Sequence, residues 1–477
     1  MSRTRIVKGK YVKISAGDHY ISAEGNIISN AASEVRDHGV ERGVFYGSYE
    51  RLGSDITDDF EISFSQKKDG IYSTVVPLGI LDFKGNFENP FFAFNYSLHL
   101  GNVDSLKFEV LAEDGTTIYS ITSLPELVVT ARKHPGMLEN IKNNKPPFNP
   151  AKPVNIWDWR PSYDPFAIPV ADYTKIGSYV ILWDGFDNND IYDSTHFNNR
   201  TLKAIITAEK NGIKKTKEVE FRTSYKEVDW VDVRIDKKNK RIDASLRVNL
   251  KDGGAEGLKK YKKISKEALA YYNLPPLTSQ ARSYKEIEKY TLEGISKFWS
   301  RNSANVGRGV NIGSDLFEVY VNAETNTKGL AAPKIVYQTN TKPRRSRNWE
   351  LSRILYFYEG YLYYNDWKNL NNNHPYYKNK GWYYQDADCE DYKMVSAHEI
   401  GHEILLAYGG HTYSKTHKGT SHWSMVIQDP SEDATPIPTV GEIDLMKYYT
   451  NYYDVQRTVI SEFDLLKLIW LTKIMVR

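Results

Sequence analysis

Residues 398–402 read His398-Glu399-Ile400-Gly401-His402, two imidazoles four positions apart with a carboxylate directly after the first. On an α-helix this spacing is about one turn, so both rings leave one face and can share a divalent ion at about 2.0–2.1 Å. Glu399 is rotated about 100° from His398, beside the ion rather than on it. There it can take a proton from a water whose pKa the ion lowers towards ~7. Attack of the resulting hydroxide on a carbonyl polarised by the metal hydrolyses peptides and amides. The pattern assigns Zn²⁺ as cofactor, His398 and His402 as ligands and Glu399 as general base.

Such a site needs a third ligand, and several downstream residues compete for it. His417 is the first choice: if the chain doubles back at Gly409-Gly410, the extended stretch from Thr412 to Thr416 returns it to the metal. Glu442, Asp444 and His422 are the alternatives, while His411 falls near the far end of the helix. Glu442 also completes a capping box with Thr439 at the start of a further helix. Replacing His417 with Ala should abolish zinc retention. Tyr408, Tyr413, Tyr448 and Tyr449 are nearby candidates to donate to a tetrahedral oxyanion, with aromatic packing the default role for each. Glu403 lies about 140° from His398 and is expected to face solvent. Cys389, between Asp388 and Glu390, reads as an unactivated thiol.

The elements that must carry these residues follow from periodicity. Lys393–Ala397 before the motif and Ile404–Ala407 after it continue one helix without proline, ending at Gly409-Gly410. Tyr284 to Asn302 has apolar residues at Ile287, Tyr290, Ile295, Phe298 and Trp299, a second amphipathic helix. Leu465 to Val476 reads as a buried C-terminal helix. Residues 256–477 are thus an α+β domain. The front of the chain reads as strands: residues 1–132 carry hairpin signals at Asp69-Gly70 and Asp114-Gly115, 133–153 is a Lys, Asn and Pro linker, and 154–255 is a small immunoglobulin-like sandwich. The expected fold is multidomain, with two β-rich, sandwich-like N-terminal modules before an α+β metallopeptidase domain. The acidic loop from Asp184 to Asp193 lacks EF-hand register and reads as solvated.

Composition bounds the rest. The chain has 477 residues, and 63 basic residues against 60 acidic ones leave a net charge of +3, which excludes a strongly basic nucleic-acid binder. Arg344, Arg345, Arg347 and Arg353 therefore read as a solvated loop. A single cysteine excludes an internal disulfide framework. No stretch reaches the roughly 20 apolar residues of a membrane span. The opening residues Met1 to Lys8 lack the apolar core of a signal peptide. The expectation is a protein made in the cytoplasm and, if exported, carried by a leaderless route.

His398-Glu399-Ile400-Gly401-His402 resembles the zinc site of the zincin metallopeptidases. The chain departs from the metzincin pattern at Leu405 and Tyr408, and Gly419-Thr420-Ser421-His422 is only partly similar to the aspzincin motif, with His422 in place of an aspartate. The wider string from Gly409 to Ser421 resembles zincin domains at the ends of bacterial toxins and type VI secretion effectors, with a weaker likeness in the front at Leu124 to Lys133. The resemblance implies an exported enzyme whose substrate is protein or the peptide of peptidoglycan, with secretion machinery and an immunity protein as partners. The rival expectation is a non-catalytic binding or delivery protein whose β modules dock on secretion machinery or cell-wall carbohydrate.

Overall fold

A computed structural model describes residues 60–82, 88–122, 124, 128–130, 173–258, 264–312, 315–341, 344–365, 381–424, 427–449 and 454–477. Residues 1–59 and the expected linker 133–153 lie outside them. Alternation of period two builds the front. Phe92, Phe94, Tyr96 and Leu98 on one strand are each at most 1% exposed, and Leu202, Ala204, Ile206 and Ala208 on another are equally hidden. Two antiparallel sheets bury these faces against each other. The first runs Glu61–Lys67, Phe92–His99, Gly177–Trp183, Val128–Thr130. The second runs Thr74–Val75, Ile474–Val476, Ile213–Tyr225, Arg200–Lys210, Ser105–Leu111, Thr117–Ile121. Phe94 joins them, its ring 5.4 Å from both Phe108 and Phe221 across the sandwich.

Strands from segments 1–132 and 154–255 share both sheets: Phe92–His99 pairs with Gly177–Trp183, and Ser105–Leu111 pairs with Arg200–Lys210. Residues Phe60–Arg477 cohere as one compact unit. The expected C-terminal helix is shorter than its apolar run. It covers Glu462–Trp470, and after Leu471 the chain becomes the strand Ile474–Val476. The reason is tertiary: Ile474 pairs with Tyr225 and Val75, and cross-strand pairing outweighs helix continuation for β-branched residues. The Asp184–Asp193 loop is a tight connection in which Asp187 accepts from the amides of Asn189 and Ile191, while Lys237 pairs with Asp184 at 2.6 Å.

Behind the sandwich in sequence lies a mixed sheet ordered Val310–Ile312, Asp315–Thr325, Arg241–Glu256, Leu330–Gln338, Ser352–Tyr358, Arg347–Trp349. The 16-residue strand Arg241–Glu256 crosses the 255/256 boundary; it pairs in parallel with Asp315–Thr325 and Leu330–Gln338 and antiparallel with Val231–Asp236. Among the described residues of this part of the chain there are four α-helices: α1 (Lys266–Tyr272), α2 (Tyr284–Trp299), α3 (Cys389–Lys415) and α4 (Glu462–Trp470). A full capping box between Ser283 and Glu286 starts α2, and Asp388 caps α3 by accepting from Glu390 and Asp391. Tyr392 of α3 meets Phe357 of the sheet edge-on at 5.1 Å.

Helices α2 and α3 cross closely because glycines face the contact. A Cβ on Gly294 would lie 2.3 Å from the Lys393 carbonyl oxygen. A Cβ on Gly401, inside the motif, would lie 2.4 Å from Met446 Sδ and 3.0 Å from Trp299. No helix among the described residues is long and apolar enough to cross a membrane.

Candidate metal centre

Helix α3 carries His398, Glu399 and His402, and its geometry breaks once, at Gly410, where φ is 77° and ψ is −179°. That conformation is open only to glycine. The chain turns back there and resumes helical geometry to Lys415, instead of running extended as the sequence suggested. The hydrogen bonds show the reversal. Ser414 accepts from His402 Nδ1 at 3.1 Å through its carbonyl oxygen, although a straight helix would carry it about 18 Å away. His417, Lys418 and Gly419 follow with φ of 50°, 57° and 83°, a left-handed corner that turns the His417 ring inward.

The outcome is a triangle of imidazoles. His398, His402 and His417 offer ligand atoms within 4.8 Å of one another, the only such group of histidine, cysteine and acidic side chains among the described residues. Ring centroids lie 4.8 Å apart for His398–His402, 4.8 Å for His402–His417 and 5.1 Å for His398–His417. A tetrahedral zinc ion would draw the three nitrogens to ~3.3 Å separations, a short closure from here.

The proton positions follow from the partners. His398 Nδ1 lies 2.7 Å from the Leu445 carbonyl oxygen, and His402 Nδ1 faces the Ser414 carbonyl. A carbonyl oxygen can only accept, so both Nδ1 atoms carry the hydrogen and both Nε2 atoms keep a lone pair. His417 Nδ1 bonds Ser421 Oγ at 2.9 Å, and its Nε2 is buried without a hydrogen-bond partner among the described residues. An unpaired buried imidazole nitrogen costs about 1–3 kcal/mol, and a metal ion satisfies it. Burial is the largest cause that holds all three rings neutral. It pushes His398 down to about 4, and it drives His402 and His417 well below 6.5, with the neighbouring imidazoles adding to the effect. Neutral rings are the state a metal ligand needs. This donor set fits a zinc ion.

Glu399 is 7% exposed, and burial raises its carboxyl to about 7 against the opposing charges of Arg345, Lys415 and Arg347. A base tuned near neutrality suits proton transfer at physiological pH. Asn348 fixes the backbone there by donating to the Glu399 carbonyl at 2.7 Å. Tyr448 stacks on His417 with centroids 3.6 Å apart, and Arg345 donates to its hydroxyl. Of the four tyrosines, Tyr448 is the one stacked on the imidazoles. Tyr408 bonds the Leu81 carbonyl, Tyr413 bonds Asp464, and Tyr449 accepts from the Asp444 amide.

The other candidate ligands are engaged elsewhere. Glu442 takes both terminal nitrogens of Arg301 at 2.7 and 2.8 Å, and no helix or capping box forms at Thr439, because this buried arginine claims the carboxylate. Asp444 accepts from Lys418 and from the Met446 amide. His422 is exposed in the hairpin Ser421–Ser424/Ile427–Pro430, and His411 is exposed just after the Gly410 break. Glu403 corrects the expectation of a solvent-facing side chain. It is 7% exposed, accepting from Lys415 and Arg353 at 3.2 Å each, because the edge of the mixed sheet covers that stripe of α3. Of the arginines read as a solvated loop, Arg344 and Arg345 are exposed, Arg345 also donating to Tyr448, whereas Arg347 and Arg353 lie on strands and bind Ser352 and Glu403.

Backbone carbonyls at Leu445 and Ser414 leave no side-chain signature in sequence, and Asn348 and Lys415 become meaningful only once the chain has folded. Compared with family models, with curated proteins and with solved structures, the chain matches none.

Proposed function

We propose that this protein is a zinc-dependent hydrolase of the zincin type that cleaves peptide bonds, in proteins or in the peptide of peptidoglycan, as an exported bacterial effector. The observation that carries the reading is the tripod: three neutral imidazoles converge, and two have Nδ1 committed to main-chain carbonyls, so their Nε2 lone pairs are left for an ion. Three histidines with no fourth protein ligand among the described residues is the ligand pattern of catalytic rather than structural zinc. A zinc ion held there would supply Lewis-acid polarisation of a carbonyl and of a water.

The chain's own residues supply the rest. Glu399 accepts the proton from the attacking water and returns it to the leaving amine. Tyr448, its ring stacked on His417 and its hydroxyl gripped by Arg345, donates to the oxyanion that develops as the carbonyl is attacked. The exported-effector part, with secretion machinery and an immunity protein as partners, rests on the sequence resemblance.

The test compares wild type with Glu399→Gln for metal content and for cleavage of a proteome digest and of purified peptidoglycan. About one zinc per chain in both proteins, with cleavage lost only in the variant, supports the reading. Zinc-loaded wild type that cleaves neither substrate, with a variant equally active towards target cells, favours a binding or delivery protein.

A further inference from the structure

Two tryptophans stand exposed where a globular surface would normally hide them: Trp349 at 38% and Trp423 at 51%, with ring centroids 6.2 Å apart. Leu351, two residues beyond Trp349, is 83% exposed at the tip of a two-residue hairpin, a place usually given to Gly, Asn or Asp. Exposed large apolar side chains that cluster mark a binding surface. Both tryptophans sit on segments that hold the metal centre. Trp349 follows Asn348, which donates to the Glu399 carbonyl at 2.7 Å from the strand Arg347–Trp349. Trp423 lies two residues beyond Ser421, the partner of His417, and pairs across its hairpin with Gln428. Gln428 in turn donates to the Lys415 carbonyl and accepts from Arg345. The two tryptophans therefore stand on the segments that frame the imidazole site.

We propose that Trp349 and Trp423 form a specificity wall that receives a large apolar side chain of a peptide substrate next to the bond to be cut. This deepens the hydrolase reading and rests on it. With Leu351 83% exposed on the hairpin that carries Trp349, the large side chains presented here are apolar, which favours an apolar side chain as the occupant. Loss of the wall should lower discrimination between large and small residues while leaving the metal ligands and Glu399 in place.

The experiment uses the full chain and two readouts. Zinc-loaded Glu399→Gln protein, which binds without cutting, is titrated with matched peptides carrying Phe, Leu or Ser at one position, following tryptophan fluorescence. Wild type, Trp349→Ala, Trp423→Ala, the double variant and Trp423→Phe are compared for kcat/KM on the same peptides. Expected are a fluorescence change with the Phe and Leu peptides only, and a preference for Phe over Ser of roughly 10–100-fold. That preference should fall to within about threefold in the double variant and survive in Trp423→Phe, at unchanged zinc content. A preference retained in the double variant overturns the proposal, as does fluorescence that answers glycan fragments but no peptide. If wild type cleaves nothing while the fluorescence still selects Phe, the hydrolase reading fails and the wall stands as a binding site.

Discussion

Replacing Glu403 with Gln should loosen the third metal ligand from a distance. Glu403 pairs with both Lys415 and Arg353, and Lys415 stands two residues before His417. The Lys415 side chain is 6% exposed, and burial already lowers its pKa from 10.5, with Glu403 pulling in the other direction. Breaking a buried pair from one side costs about 3–5 kcal/mol, because the remaining charge stays desolvated. For a unit running from Phe60 to Arg477, 1 kcal/mol moves Tm by about 1 °C, so scanning calorimetry of the metal-free protein should show a drop of about 3–5 °C. The sign with pH is fixed. A buried lysine whose folded pKa is depressed binds fewer protons folded than unfolded, so the variant's deficit shrinks as pH rises and grows as pH falls. Ligand-positioning partners outside the coordination sphere are worth about 10–100-fold in metal affinity, so competition with a chelator should show a loss of that size. The double variant Glu403→Leu with Lys415→Met should regain Tm without regaining zinc affinity. If zinc affinity stays within twofold of wild type while Tm falls, the ion pair stabilises the fold without positioning His417, and the reasoning is wrong.

Gly401→Ala forces a Cβ against Met446 Sδ and Trp299, and the expected cost is about 1–3 kcal/mol in urea unfolding; no loss would mean α2 and α3 can part freely. Gly410→Ala meets no atom within 4 Å, so its expected cost of about 1–3 kcal/mol is pure backbone strain, accompanied by weaker zinc retention as the turn opens. Keeping His398, His402 and His417 neutral gives a stability contribution complete above pH ~6.5 and lost progressively as pH falls below it. Glu399, raised to about 7, works in the opposite sense, its contribution disappearing as pH rises from about 4.5 to 7. In a metal-free Glu399→Gln background the urea midpoint should therefore fall steeply between pH 7 and 5, and much less with His402→Gln added; equal slopes would refute the assignment.

The part of the site that was legible in sequence is the part encoded by spacing within one helix. His398, Glu399 and His402 need only 3.6 residues per turn, and His417 needs only a chain reversal at glycine. What was not legible depends on neighbours far along the chain. The Glu403 stripe reads as solvent-facing by angle alone, yet the strands Ser352–Tyr358 and Arg347–Trp349 bring Arg353 and Asn348 to that side of α3. Glu442 reads as a cap because Thr439 precedes it, but Arg301, 141 residues earlier, binds it. In the front, alternation announces strands but not their partners, so segments 1–132 and 154–255 give no hint that their strands interleave.

The sandwich also has a duty at the metal centre. Strand Ile474–Val476 is locked between Thr74–Val75 and Ile213–Tyr225, and this fixes the end of α4. From α4, Asp464, fully buried, accepts from Lys418 at 2.7 Å, from Lys467 at 3.1 Å and from the Tyr413 hydroxyl at 2.6 Å. Lys418 also reaches Asp444, so two lysines and two aspartates balance in charge. That cluster holds the residue directly after His417, in a corner where His417 and Lys418 both adopt the left-handed conformation. Two such non-glycine residues cost about 2–4 kcal/mol together and persist only where the surroundings over-determine them. The ion cluster is what over-determines them here, and a β-strand of the front sandwich holds the helix that carries it. The front strands therefore act as structural support for the imidazole tripod.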